Sequence, residues 1–128
     1  MNKKLNVLLL DISERITYII ELLLLSNKNV GNVSIAHNIN WAEDILDKQK
    51  ADVIILNIKF SDNDGLKFFK RIKELFPKTN TVLLTNYTDD FHKSYATELG
   101  ADYFIDKSMA YHELPEILTE INATATQH

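Results

Sequence analysis

The chain contains no cysteine, and only 3 of its 128 residues are glycine and 2 are proline. The lack of cysteine excludes a disulfide framework, a thiol nucleophile and a thiolate metal site. The 45% apolar content is sufficient for a packed core. The low glycine and proline content, with 25% charged residues, leaves little room for a long linker. We expect one domain over residues 1–128, with its core at about 5–121 and a frayed tail at 123–128.

Long apolar runs and basic clusters are also missing. The longest apolar runs, such as residues 22–25, are far shorter than the ~20 residues that span a bilayer. Near the N-terminus, Asp11 interrupts the apolar run 7–10 before it is long enough for a signal-peptide core. We therefore predict no membrane contact and a cytoplasmic location. The net charge of −4, without a concentrated cationic face, argues against nucleic-acid binding by this domain alone.

Apolar periodicity predicts five strands that alternate with five helices. The strands are predicted at residues 5–10, 33–36, 52–56, 81–85 and 103–105. The first four helices begin near residues 13, 40, 65 and 89, and the last helix carries Leu114, Ile117, Leu118 and Ile121. A strand followed by a helix, repeated in this way, implies a parallel sheet with helices on both faces. The doubly wound order 2-1-3-4-5 is the natural choice at this size, so the predicted class is α/β.

Local signals refine the helices. In the first helix, apolar residues at helical spacing predict a stripe that faces the core: Ile16, Ile19, Ile20 and Leu23, widened by Leu22, Leu24 and Leu25. The segment 27–32, which contains Gly31, is predicted as the turn into the second strand. Asn40 is predicted to cap the second helix, and Gly100 to end the fourth.

A polar residue, Asn57, ends the apolar run 53–56. The run shows no alternation, which is typical of a strand buried on both faces. In open parallel sheets the functional crevice lies beyond the carboxyl ends of the strands. The predicted order places the ends of strands one and three side by side, so Asp11 and Asn57 are expected to face each other there.

The residues around Asn57 resemble the receiver domain of response regulators, the phosphorylated input module of two-component signalling and phosphorelays. The similarity covers about residues 5–121 and rests on these landmarks: Leu56, Asn57, Ile58, Lys59, Asp64, Gly65, Leu84, Thr85, Gly100, Ala101, Asp102 and Lys107. It implies a CheY-like, flavodoxin-like (βα)5 fold. It also implies that Thr85, Phe104 and Lys107 occupy the family's switch positions.

Three departures from the family pattern change the expected chemistry. Ile12 replaces the second residue of an acid pair, Asn57 replaces the phosphoryl-accepting Asp, and Ser108 replaces a proline. A neutral amide cannot supply the anionic nucleophile that phosphoryl transfer requires. Magnesium prefers carboxylate oxygens, and Asp11 is the only carboxylate expected in this degenerate acidic pocket. We therefore expect no phosphorylation of Asn57, no cofactor, weak or absent Mg²⁺ binding and no enzyme activity.

Lys107 has a different expected partner once the acceptor charge is missing. It can pair with Asp11 and donate a hydrogen bond to the side-chain oxygen of Asn57, which would lock the pocket without a metal. An ordinary surface lysine at a strand end remains the alternative. Thr85 carries little information by itself, since threonine is common in strands.

Aromatic residues gather between the fourth strand and the fifth. The expected interaction face comprises Tyr87, Phe91, Tyr95 and Tyr103. The resemblance implies docking or dimerisation through the fourth helix, fifth strand and fifth helix, with a histidine kinase, an output domain, another regulator or a second copy as partner. Phe104 can instead be an ordinary core residue. His37, His92 and His112 lack metal-ligand spacing, so no metal site is predicted.

The sequence leaves three candidate functions open. The leading one is a pseudo-receiver, a phosphorylation-independent protein-interaction module. The second is an ordinary phosphorylatable receiver whose acceptor was changed to Asn57, although Ile12 argues against a single deliberate replacement. The third is a flavodoxin-like cofactor binder, but residues 11–15 lack the Gly and Ser/Thr cluster that cradles a phosphate.

Overall fold

The structure is a computed structural model that describes residues 4–11, 17–57, 63–86 and 89–125. The strands are β1 Leu5–Asp11, β2 Val30–Ala36, β3 Val53–Asn57, β4 Asn80–Thr85 and β5 Tyr103–Asp106. The helices are α1 Thr17–Leu25, α2 Ile39–Lys48, α3 Asn63–Leu75, α4 Asp90–Leu99 and α5 Ala110–Ala125, with a 3-10 turn, Lys107–Met109, before α5. Because α5 continues to Ala125, the tail expected to fray at 123 is helical as far as residue 125; residues 126–128 lie outside the described ranges.

All strands are parallel and form one sheet in the order β2-β1-β3-β4-β5, which confirms the predicted class and topology. Side chains alternate between the two faces of a strand. On β3, Ile55 therefore joins the core cluster with α1 and α5, whereas Ile54 joins the cluster with α2, α3 and α4. Both faces of the sheet are covered by helices, which explains why β3 reads as an unbroken apolar run.

The apolar stripe predicted on α1 is too wide. Ile20 and Leu24 are buried against the sheet, as expected. Ile19, Leu22 and Leu25 are instead 61%, 48% and 59% exposed. A helix that packs on one face of a sheet buries only the side chains directed at that sheet. Ile16 lies outside the described residues.

Of three predicted positions, the cap of α2 at Asn40 and the turn at Gly31 are wrong, and the glycine that ends α4 is confirmed. The cap of α2 is Asn38, whose side-chain oxygen accepts a hydrogen bond from the Trp41 backbone N at 2.8 Å. Asn40 is already inside the helix, because either of two asparagines spaced two apart suits a cap and the first one adopts the extended backbone. Gly31 lies within β2 rather than in a turn. Gly100 ends α4 with a φ of 96°, a left-handed conformation that glycine adopts without strain.

Asp89 caps α4 and provides a pH-dependent contribution to stability. Its carboxylate accepts a hydrogen bond from the His92 backbone N at 2.9 Å and lies 2.8 Å from the His92 Nδ1. These hydrogen bonds, first the backbone one and then that of the ring, hold the pKa of Asp89 below its usual value. Its stabilising effect is therefore present above the ordinary carboxyl pKa and is lost as the pH falls through the lowered pKa of the folded state.

We expect Asp89→Ala to destabilise the protein at neutral pH, and we expect the gap from wild type to narrow in acid. Urea denaturation at both pH values measures the gap. Asp89→Asn serves as the control. Its amide oxygen can still cap the helix, but the amide does not titrate, so the stability of this variant should lack the pH dependence that Asp89 contributes. A gap between wild type and Asp89→Ala that stays constant from neutral to acidic pH would contradict the assignment.

Candidate functional site

Asp11 and Asn57 meet at the carboxyl edge of the sheet. Each is the last residue of its strand, β1 or β3, and the two are direct register partners in this parallel pair. Asp11 is 0% exposed and Asn57 is 1% exposed. The order of the strands predicted this meeting, because the neighbours in the sheet are the first and third strands of the chain. The centre of the site is thus a buried carboxyl group beside a buried amide.

Thr85 and Lys107 lie at the same edge. Thr85 is buried and ends β4, the strand next to β3. Lys107 directly follows β5, the strand next to β4, and is half-buried at the start of the 3-10 turn. The fold therefore places all four polar residues predicted for the site at the carboxyl ends of four adjacent strands.

The 3-10 turn that carries Lys107 is held by Asp106. The Asp106 Oδ1 accepts hydrogen bonds from both the backbone N and the hydroxyl of Ser108, each at 2.9 Å. A proline at this position, as the family pattern commonly has, cannot donate from its backbone nitrogen. At this position the hydrogen bonds from Ser108 to Asp106 hold the turn, which a proline could not do in the same way. This explains the departure from the family pattern structurally.

His37 is a neighbour of this site that the sequence analysis left isolated. Its Nδ1 lies 3.1 Å from the backbone oxygen of Asp11, and its ring packs edge-on against Trp41 at 5.8 Å between centroids. Since the carbonyl oxygen is an acceptor, this contact requires the proton on Nδ1. The signal that points to His37 is its position directly after β2, because β2 runs beside β1 in register to Ala36.

Among the described residues, the donor set at this edge is a poor match for a magnesium ion. Asp11 contributes one carboxylate, and Asn57 can offer only a neutral amide oxygen. No group of three or more His, Cys, Asp or Glu side chains able to hold a metal occurs within the described ranges. Ile12, the apolar replacement of the second acid, lies outside those ranges. We derive no metal-dependent step for this chain.

The aromatic residues predicted as one interaction face are divided by the structure. Phe91 and Tyr95 on α4 are 72% and 36% exposed. Tyr103 and Phe104 are half-buried on opposite faces of β5, against the α1 and α5 cluster and the α2, α3 and α4 cluster, respectively. Tyr87 lies outside the described residues. Exposed aromatic surface therefore belongs to α4 rather than to β5.

Tyr103 connects β5 to α5 instead of presenting a free aromatic face. Burial raises the pKa of its phenol, and the nearby carboxylates of Glu120 and Asp102 raise that pKa further. A side-chain hydrogen bond with Glu120 acts in the same direction. The phenol therefore stays neutral near physiological pH and can donate to Glu120 on α5.

Two exposed residues beyond β5 were missed by the sequence analysis. Met109, the last residue of the 3-10 turn, is 42% exposed, and Tyr111, in the first turn of α5, is 71% exposed. We call these two residues, together with the exposed Phe91 and Tyr95, the α4–α5 patch. Single exposed apolar residues are common and carry no sequence signal of their own, so only their shared exposure identifies the patch.

No helix within the described residues is both long enough and apolar enough to cross a membrane.

Comparison with known proteins agrees with the fold. The family model for the response regulator receiver domain matches residues 5–119. The Fimbriae Z protein of Escherichia coli (strain K12) is 29% identical over 105 residues, covering 82% of this chain and 50% of that protein. The transcriptional regulatory protein TrcR of Mycobacterium tuberculosis is 30% identical over 108 residues, covering 84% of this chain and 41% of that protein. The chain thus spans half or less of the length of these curated relatives.

Solved structures agree as well. The receiver domain of Francisella response regulator 1452 superposes with a TM-score of 0.82 at 17% identity, covering 95% of this chain and 99% of that one. A CheY-like receiver domain protein from Methanospirillum hungatei gives 0.81 at 18% identity, covering 98% and 100%. At these identities the superpositions show the fold alone.

The sheet order and the polar residues at its carboxyl edge define a doubly wound domain of the CheY-like class. The chain belongs to the response regulator receiver domain family of two-component signalling.

Proposed function

We propose that this receiver domain works without phosphorylation, as a protein-interaction module with no enzyme activity of its own. The observation that carries the proposal is the position of Asn57. It is buried at the end of β3, beside Asp11, where the family has its acceptor carboxylate. A carboxylate oxygen attacks phosphorus as an anion, whereas an amide is neutral and nearly non-nucleophilic. The poor fit to magnesium removes the cation that would offset the charge of the transferring group.

Replacement of a native acceptor by Asn57 is the alternative. A deliberate substitution of that kind would have left the neighbouring acid pair intact, but residue 12 is isoleucine. Ile12 therefore supports a chain that lost its metal site and its nucleophile together. The genomic reading frame, which shows the natural residue at position 57, distinguishes the two.

Lys107 is proposed to balance the buried charge of Asp11. A carboxylate that is 0% exposed needs a cation or several hydrogen bonds, since desolvation otherwise favours its neutral form. Lys107 is half-buried at the same edge of the sheet. Its pairing with Asp11 and with the Asn57 oxygen would keep the pocket in one arrangement. An exposed surface role for Lys107 is the competing possibility.

The α4–α5 patch is the proposed contact for a protein partner. Phe91 and Tyr111, both more than 70% exposed, are large apolar groups that gain from being covered. The candidates are a histidine kinase, an output domain, another regulator or a second copy. The match covers only half or less of each curated relative, so an output domain is among the partners to test.

We expect wild-type protein to take up no phosphoryl group from acetyl phosphate and to show no spectral change with magnesium. The reason is the loss of the nucleophile at Asn57 and of the second acid at Ile12. Intact-mass spectrometry after incubation with acetyl phosphate and magnesium measures the first, and intrinsic fluorescence the second. A stable adduct on Asp11, Asp62, Asp64 or any other residue would refute phosphorylation independence.

A further inference from the structure

A cavity of about 530 Å³ lies at the amino edge of the sheet, where β3 and β4 begin, opposite the edge that carries Asp11 and Asn57. Residues 50–52 and 78–80, which lead into these two strands, form most of its wall, and the last turns of α5 complete it. Three of the lining residues are buried: Ala51, Thr79 and Ile121. Sites for small organic molecules have volumes of roughly 300–1,000 Å³, so the cavity is large enough to hold one.

Two lysines that are distant in the sequence meet at this cavity. Lys50 follows α2 and Lys78 follows α3, and both are exposed. Neither forms an ion pair within the part of the chain that the structure describes. The one acid among the described lining residues is Asp52, whose Oδ2 accepts a hydrogen bond from the backbone N of Asn6 at 2.8 Å. The lining is therefore cationic, in a chain whose net charge is −4.

The ends of α2 and α3 do not require these two lysines. The carboxyl end of a helix carries a partial negative charge, which a basic side chain in the last turn offsets. Lys48 and Lys73 hold that place in α2 and α3. Since Lys50 and Lys78 come after these helices have ended, their charges remain to hold an anion in the cavity.

Two backbone donors of the cavity lining have no acceptor among the described residues, namely the N–H groups of Lys50 and Ala51. The preceding N–H, that of Gln49, still donates to the Ile45 oxygen of α2 at 3.0 Å. The following one, that of Asp52, donates to the Asn6 oxygen of β1 at 2.8 Å. Ala51 is only 8% exposed, and a backbone N–H in such a place favours an acceptor beside it. An anionic oxygen bound next to Ala51 would supply one.

An apolar extension accompanies the cationic cavity. A second cavity of about 300 Å³ shares Lys50, Ala51 and Thr79 with the first. Leu46 on α2 and Phe76 after α3 are also among its lining residues, and Phe76 is 37% exposed. An aromatic or aliphatic group placed here would cover apolar surface on both side chains. The chemistry of the two cavities thus combines a cationic part with an apolar one.

We propose that the amino edge of the sheet is a binding site for a small organic acid with an aromatic or branched aliphatic body. Its carboxylate lies between Lys50 and Lys78, and its apolar body packs against Leu46 and Phe76. The site does not depend on the proposed loss of phosphorylation, because it lies at the opposite edge of the sheet from Asn57.

Titration of the wild-type protein with naphthoate, followed by amide NMR, tests the proposal. We expect saturable shifts of the Ala51 and Thr79 amides with a dissociation constant of about 1 mM or lower, and no shift at Thr85 on the other edge. Naphthylmethanol has the same aromatic body without the charge, and it should bind at least about tenfold more weakly. Equal binding of the acid and the alcohol would contradict the proposal and would leave the two lysines only the role of offsetting the carboxyl end of α5.

A variant that carries both Lys50→Gln and Lys78→Gln tests the cationic part separately. We expect it to bind naphthoate at least about tenfold more weakly than wild type and to bind naphthylmethanol within about threefold of wild type. The matched control carries Lys67→Gln and Lys70→Gln, two exposed lysines of α3 that line neither cavity, and should keep the affinity for naphthoate. Amide spectra without ligand establish that both variants are folded.

Three further results would overturn the proposal. The first is the absence of saturable shifts in the wild type at naphthoate concentrations up to about ten times the expected dissociation constant. The second is unchanged naphthoate binding by the variant at Lys50 and Lys78, which would place the carboxylate elsewhere. The third is an equal loss of binding in the variant at Lys67 and Lys70, since the attraction would then come from the overall charge and not from this cavity.

Discussion

Magnesium is expected to raise the melting temperature of a variant that carries both Asn57→Asp and Ile12→Asp, while leaving the wild type unchanged. By the family resemblance, the double variant is expected to bring three carboxylates into the pocket, counting Asp11, and oxygen ligands of this kind suit magnesium. A ligand that binds only the folded state stabilises it by RT ln(1 + [L]/Kd). Magnesium at ten times its dissociation constant thus adds about 1.4 kcal/mol, or about 5 °C for a domain of this size.

The single variants separate the two lost functions. Asn57→Asp restores the nucleophile but puts its charge beside buried Asp11, and two close carboxylates raise each other's pKa. A carboxyl group whose folded-state pKa is raised stabilises the protein at low pH, and that contribution is lost as the pH rises through the raised value. We therefore expect Asn57→Asp to be no more stable than wild type at neutral pH, relatively more stable in acid, and poorly phosphorylated.

Melting curves of wild type, both single variants and the double variant, with and without magnesium, measure these effects. Sodium chloride at matched ionic strength separates site binding from screening. A folded double variant without a magnesium response would mean that the pocket has lost its receiver geometry as well as its acids. In that case the roles assigned to Asp11 and Lys107 by family resemblance would have to be abandoned.

Truncation of a buried and of an exposed phenylalanine to alanine is expected to have very different effects on the free energy of unfolding. Phe69 on α3 is 0% exposed and is among the largest fully buried side chains, so Phe69→Ala should cost about 3–5 kcal/mol of unfolding free energy. That is a large part of the ~5–15 kcal/mol that typically stabilises a domain. Phe91 on α4 is 72% exposed, and Phe91→Ala should change stability by less than about 0.5 kcal/mol. Urea denaturation compares the two directly.

Phe91→Ala, which should hardly change stability, is expected to have the larger effect on partner binding. Phe91→Ala is expected to weaken the complex with the proposed partner by about thirtyfold or more if Phe91 is an anchor of the α4–α5 patch. Calorimetry or pull-down with each candidate partner provides the measurement, with Trp41→Ala on α2 as an exposed aromatic control that is 48% exposed. Equal binding by wild type and Phe91→Ala, together with lost binding by Trp41→Ala, would place the contact on α2.

The sequence by itself determined the order of the sheet and the centre of the site. Five apolar segments separated by helical patterns admit few parallel arrangements, and the unbroken apolar run before Asn57 is typical of a strand covered on both faces. Because the carboxyl ends of parallel strands share an edge, the position of Asp11 beside Asn57 followed from strand order alone. The positive φ of Gly100 at the end of α4 was likewise a local property of the chain.

Local signals were insufficient where two neighbouring residues offered the same chemistry. Asn38 and Asn40 can each cap α2, and only the path of the chain out of β2 decides that Asn38 does so. The contact between His37 and the Asp11 carbonyl joins two strands that are distant in sequence. Its geometry depends on the register between β1 and β2, which no local pattern specifies.

Only the tertiary structure decided which apolar residues are covered. Helical periodicity marks Ile19, Leu22 and Leu25 as apolar in the same way as Ile20 and Leu24, yet the first three are exposed and the last two are buried. The same holds for Phe91 on the surface and Phe104, which is half-buried against the core. The reason is that burial depends on a second surface lying opposite the side chain, and that surface is contributed by segments far away in the chain.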